Sequence, residues 1–120
     1  MLTQDVVIET VRNYAHEIEE RGVNLRIVLL YGSFAKGTQH EWSDIDVALV
    51  ADEFTGLYCD DGEKFGYVPI KKPYIRIEAK TYPTDYFLNS DPFIEEIKKD
   101  GIVILNKQKN SCKIVVERAT

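Results

Sequence analysis

From Thr3 to Arg21 the apolar residues Val7, Val11, Tyr14 and Ile18 recur at steps of four and three, with polar and charged residues between them. That period places them on one face of an amphipathic helix, and Gly22 stands where a helix commonly stops. The run from Arg26 to Tyr31, "RIVLLY", is continuous and rich in branched residues, so it predicts a buried strand halted by Gly32. Gly32-Ser33 then turns the chain into "FAKGTQ", long enough for about two helical turns. Asp44 to Val50 predicts a second strand, with Ile45 and Val47 on one face and Asp44 and Asp46 together on the other. Ala51 to Lys72 interleaves Gly56, Gly62, Gly66 and Pro69 with Phe54, Leu57, Tyr58, Phe65 and Tyr67, which predicts a partly ordered loop. Its aromatics either fill the core or stack on a nucleobase. Beyond it Tyr74 to Lys80 alternates, Ile75, Ile77 and Ala79 opposing Arg76, Glu78 and Lys80. "CKIVVE", residues 112–117, reads as a short strand with no functional account.

Two carboxylates on neighbouring same-face positions repel, and one of them tends to have its pKa raised. A divalent cation offsets that cost, and an all-oxygen pair favours a hard ion such as Mg²⁺ over zinc. The competing explanation is structural: Ser43-Asp44 caps a turn and Asp46 sits on a solvated sheet face. The residues upstream shift the balance. A glycine lets backbone approach a ligand closely, free amides at a helix start attract phosphate oxygens, and the Ser33 hydroxyl adds a donor. A phosphate cradle at Gly32-Ser33 therefore precedes a metal-binding pair at Asp44 and Asp46. Lys36 either adds positive charge near the phosphates or is an exposed helix lysine.

Gly32-Ser33, ten intervening residues and Asp44-x-Asp46 resemble the signature of the nucleotidyltransferase superfamily related to DNA polymerase beta. Within it, "GSFAKGT…SDIDVALV" is similar to the minimal nucleotidyltransferases, short single-domain proteins that serve as antitoxins in pairs with helical HEPN toxins. "IRIEAKTYPTDYF", 75–87, resembles their segment bearing a third acid, and "FIEEIKKDGIVIL", 93–105, their closing helix and final strand. The implied fold is α/β of the α+β type: one small domain over 1–120, with a core of about 25–105 in which helices flank a mixed sheet. The resemblance makes Glu78 the third acid and metal ligand, although many members carry aspartate there. Asp60 and Asp61 are rivals, but turn formation and solvation explain them in "CDDGE". A cross-strand ion pair is the structural alternative for Glu78.

With 120 residues, 44% hydrophobic, the chain can bury one core and little more. A net charge of −5 argues against a sequence-independent nucleic-acid binder, which needs a broad positive surface. The clusters "KKDG" and "NKQKN" read as solvated. Cys59 and Cys112 show no metal or redox spacing, and no apolar stretch approaches the roughly 20 residues of a membrane span. An intracellular, cytoplasmic protein with free thiols is expected. His16 and His40 stand isolated, without a chemical role.

The resemblance implies an enzyme dependent on Mg²⁺, with two ions, that transfers NMP, AMP from ATP, to a hydroxyl. Gly32 and Ser33 would hold the β- and γ-phosphates, Asp44 and Asp46 the metal, and Glu78 would take the acceptor proton. Templated polymerisation is disfavoured by charge and by the lack of anything to grip a primer. The aminoglycoside-modifying relatives build the acceptor site with an additional helical domain, for which 120 residues leave no room. The expected acceptor is thus a partner protein, a HEPN ribonuclease toxin, with this chain as its antitoxin. The alternative is a non-catalytic nucleotide-binding or partner-binding module acting by contact alone.

Overall fold

A computed structural model describes residues 2–89 and 91–107 together with the backbone of Ile114–Arg118. The amphipathic run forms helix α1, Gln4–Glu20, with Thr3 as N-cap accepting from the Val6 amide at 3.3 Å. Its buried face comprises Val7, Val11, Tyr14, Ala15 and Ile18, and Gly22 leaves it at φ +95°. Strand β1, Ile27–Tyr31, follows, then α2, Ser33–Lys36. Only one turn of the expected two forms in α2, because Gly37 adopts the left-handed conformation and ends it. Strand β2 is Ile45–Ala51, α3 is Tyr58–Asp61, and three 3-10 turns lead to β3, Ile77–Pro83. Helices α4, Thr84–Leu88, and α5, Pro92–Asp100, precede β4, Ile102–Asn106, and β5, Ile114–Arg118.

The strands form one mixed sheet in the order β3-β2-β1-β4-β5. The β1–β2, β1–β4 and β4–β5 pairs are antiparallel, whereas β2 and β3 run parallel. A parallel pair needs a crossover, and residues 52–76 supply it. Phe54, Phe65, Val68 and Tyr74 of that crossover join α1 in a core against Val28, Leu30, Ile45, Val47 and Leu49. Phe87 of α4 and Ile94 and Ile97 of α5 cover the opposite face, over Ile27, Leu29, Ala48 and Val50. The central strands are therefore apolar on both faces, which is why β1 reads as an unbroken apolar run.

The crossover is more ordered than its composition predicts. Its glycines and prolines forbid a long helix but permit short turns, and Asp61 pins them. This carboxylate is fully buried, not solvated as expected, and accepts from the Thr55 amide at 2.9 Å, the Gly56 amide at 3.0 Å and Thr81 Oγ1 at 2.6 Å. Glu17 of α1 also holds this segment through Lys71 and the Tyr74 hydroxyl. The alternation expected from Tyr74 begins only at Ile77: Lys72–Tyr74 is a 3-10 turn around Pro73, and Ile75 is 68% exposed. Cys59 is exposed and free, while Cys112 and most of "NKQKN" lie outside the described residues. No helix of the described residues is long and apolar enough to cross a membrane.

Burial pushes the Asp61 carboxyl up, but hydrogen bonds from Thr81, Thr55 and Gly56 outweigh it and leave the group below its ordinary range. Its stabilisation is complete above the unfolded-state pKa of about 4 and is lost as pH falls through the lower folded value. Asp61→Asn is expected to cost about 1–3 kcal/mol at neutral pH, since two amide donors lose a charged acceptor. Urea unfolding across the acid range checks this, with the deficit of the variant shrinking as pH falls.

Candidate active site

Strand pairing brings together two of the three expected acids, Asp46 and Glu78. Tyr31 at the end of β1 is opposite Asp46 of β2, and Asp46 is in turn beside Glu78 of β3. Asp46 alternates with the inward-facing Val47, so it shares the sheet face of Ala48 and Val50. Asp44 lies just before β2, not within it, and is exposed. Glu78 is exposed on an edge strand, whereas Asp46 is half-buried.

The turn after β1 is shaped around Asp46. Gly32 has φ +77° and ψ −155°, and a Cβ there would stand 2.2 Å from Asp46 Oδ2. Glycine is thus required twice, for the backbone conformation and for the approach of a carboxylate. Ser33 opens α2, and the amides of Ala35 and Lys36 donate back to the Gly32 carbonyl, both at 3.1 Å. Lys36 is exposed in the last turn of α2.

The loop carrying Asp44 is held independently. The buried Ser43 accepts through Oγ from the His40 amide at 2.9 Å, and the Arg76 guanidinium donates to the Ser43 carbonyl and, at 3.1 Å, to that of Glu41. His40 is part of this scaffold, its Nδ1 accepting from the Trp42 amide at 3.2 Å. His16 is on the exposed side of α1 near Glu20. Ser43 therefore does cap a turn, as the structural alternative held, but this leaves the carboxylates of Asp44 and Asp46 without a hydrogen bond from any described residue.

Asp46 carries the electrostatic cost. Desolvation raises its carboxyl above the ordinary range, Glu78 and then Asp44 add to the rise, and Lys80 opposes it. The Tyr31 phenol is likewise pushed up, by burial first and then by Asp46, Tyr82 and Glu78. A cavity of about 420 Å³ opens here, lined by Tyr31, Asp46, Tyr58, Ile77, Glu78, Ala79 and Lys80. Asp60 and Asp61 do not line it. Of the crossover's aromatics, Phe54 and Phe65 are buried in the core, and Tyr58, packed edge-on against Phe65, also borders the cavity.

Sequence reasoning missed Tyr31 and Arg76 and left Tyr58 open between core and nucleobase. The strand ending at Tyr31 was legible, but its position beside Asp46 depends on antiparallel register, and Tyr58 arrives through the crossover. Lys80 stands on the same alternating face as Glu78 in the sequence itself, and that was the available signal.

No curated protein matches the chain. Among solved structures, a candidate nucleotidyltransferase from Sulfolobus solfataricus is similar at 18% identity and a TM-score of 0.64, over 93% of this chain and 88% of that one. A toxin-antitoxin solved with AMP-PNP is similar at 17% identity and a TM-score of 0.53, over 82% and 76%. At such identities these likenesses concern the fold alone. The family model described as "Polymerase beta, Nucleotidyltransferase" matches residues 13–110, and the chain accordingly belongs to that family of nucleotidyltransferases.

Proposed function

We propose that this protein transfers a nucleotide, AMP from ATP, to a hydroxyl of a partner protein. The observation that carries this reading is the lateral pairing of Asp46 with Glu78 on one sheet face, beside a glycine turn that leaves no room for a side chain. The donor set fits a hard cation: Asp44, Asp46 and Glu78 offer only carboxylate oxygens, and Asp46 is the strained member. Among the described residues no three such side chains converge closely enough to hold an ion unaided. Phosphate oxygens of the nucleotide would complete the set. Magnesium, when bound, would neutralise phosphate charge and acidify the acceptor hydroxyl.

The chain's own residues would divide the remaining work. The Gly32-Ser33 turn orients the β- and γ-phosphates, with Lys36 as an additional positive group at the end of α2. Asp44 and Asp46 fix the metal-bearing triphosphate. Glu78 accepts the proton of the acceptor hydroxyl as its oxygen attacks the α-phosphorus and the bond to pyrophosphate breaks. The exposure of Glu78 on an edge strand leaves the acceptor side open, which suits an acceptor presented by another protein. The similarity to a toxin-antitoxin solved with AMP-PNP, together with the sequence resemblance to minimal nucleotidyltransferases, supports a HEPN toxin as that partner and this chain as its antitoxin.

Asp46→Asn is expected to abolish labelling of the partner toxin by α-labelled ATP with Mg²⁺, while making the metal-free protein more stable at neutral pH. A carboxyl whose folded pKa is raised destabilises the fold above that pKa and ceases to do so below its unfolded value. The gain in melting temperature should therefore close as pH falls through the carboxylate range. A variant less stable than the parent at neutral pH and equally active would remove Asp46 from the mechanism.

Glu78→Gln separates proton acceptance from nucleotide capture. Its transfer rate should fall by about 10²-fold or more, while calorimetric binding of Mg-ATP stays close to the parent. Near-parental turnover would assign the base to the partner.

A further inference from the structure

Among the residues that line the acid cavity, Lys80 is the cation, exposed at its rim. Lys80 lies two residues beyond Glu78 on the same face of β3, so its Cα is roughly 7 Å from that of Glu78 and diagonal to Asp46 on the adjacent strand. It lines the same cavity as Asp46 and Glu78. It makes no ion pair within 4.0 Å among the described residues, yet it is not loose. Its ammonium rests 4.4 Å from the centroid of the Phe93 ring at the start of α5, and Phe93 meets Tyr31 edge to face at 6.3 Å. Tyr31 in turn pairs with Asp46 in register. An aromatic platform thus holds a positive charge beside the carboxylates without neutralising any one of them by direct contact.

We infer that Lys80 is a specificity-determining residue that opposes capture of a bare divalent ion and favours an ion arriving with a triphosphate. This rests on the proposed nucleotidyl transfer and names how its donor is selected. The physical reason lies in the sign of each interaction. A lone Mg²⁺ or Mn²⁺ among these acids is repelled by Lys80, while a metal–triphosphate, with net negative charge, is attracted by it and gives the ammonium phosphate oxygens to bond. The incomplete ligand set argues the same way: among the described residues no three ligating side chains close around an ion alone, so phosphate oxygens are needed to complete it. Phe93 serves as a pivot, since a cation–π contact is weak enough for the ammonium to leave when phosphate arrives.

The test measures two affinities of the intact protein with opposite expected changes. Calorimetry with Mn²⁺ alone, and with Mg²⁺ plus the non-transferable analogue α,β-methylene-ATP, is run on the parent, Lys80→Met and Lys80→Arg. Methionine keeps length and packing over Phe93 without charge. Lys80→Met should bind Mn²⁺ roughly 5–10-fold more tightly and the metal–nucleotide roughly tenfold more weakly. Lys80→Arg should keep both within about twofold, because its charge is retained. A general loss of structure would weaken both ligands together, so affinities that move in the same direction, or neither moving, would overturn the role of Lys80. A parent that binds the metal–nucleotide while Lys80→Met binds it equally well also overturns it but leaves the transferase reading standing. A parent that binds neither ligand removes both.

Discussion

The parallel pairing of β2 with β3 is the constraint on which the site depends. Parallel register sets Asp46 directly beside Glu78 at adjacent-strand distance, a placement that their separation of 32 residues in the chain could not impose locally. Parallel pairing obliges the chain to cross over between the two strands, and here the crossover is built from short turns instead of a long helix. It is held to α1 by Glu17 and to β3 by the buried Asp61. The position of Glu78 is therefore secured by a carboxylate that does not line the cavity. Two acidic groups of one chain play opposite roles because one is given donors and the other is denied them.

That denial is the electrostatic character of the cavity. Asp61 meets amide and hydroxyl donors and titrates low; Asp46 meets desolvation, Glu78 and Asp44 and titrates high. A folded chain tolerates such a group when the fold around it is otherwise well packed, and here Ala48, Val50, Phe87 and Ile94 close the same sheet face immediately behind it. Lys80 gives partial relief from a platform of aromatic rings, without the close contact that would block the site. Stability spent at Asp46 is thus offset by apolar packing next to it, the usual division between a site and its scaffold.

The glycine at the end of β1 joins backbone geometry to that electrostatics. A left-handed φ admits other residues at some cost, but a Cβ 2.2 Å from the Asp46 carboxylate cannot be accommodated without moving the acid. Gly32 was legible as a close-approach position, and the cradle for a ligand was the reason available for it. The structure adds a second reason inside the protein itself: the turn passes over the Asp46 carboxylate too closely for a Cβ.

By itself the sequence determined most of the local elements and nominated the acids. The period of Val7, Val11, Tyr14 and Ile18 reflects burial of one helix face, and the unbroken apolar run of β1 reflects burial of both sheet faces, requirements written in successive side chains. The Gly-Ser turn and the Asp-x-Asp pair were legible for the same reason, since their spacing is short. Register, crossover order and the environment of each carboxylate were decided only by tertiary structure. Asp61 stands in the polar run "CDDGE" and Asp46 in the apolar run "DIDVALV", yet Asp61 is the more deeply buried, and nothing local distinguishes a solvated turn from a buried pin. Tyr31, Tyr58, Lys80 and Phe93 come from four separate segments, and they meet at the acids because strand pairing and helix packing act over distances along the chain at which side-chain pattern carries no information.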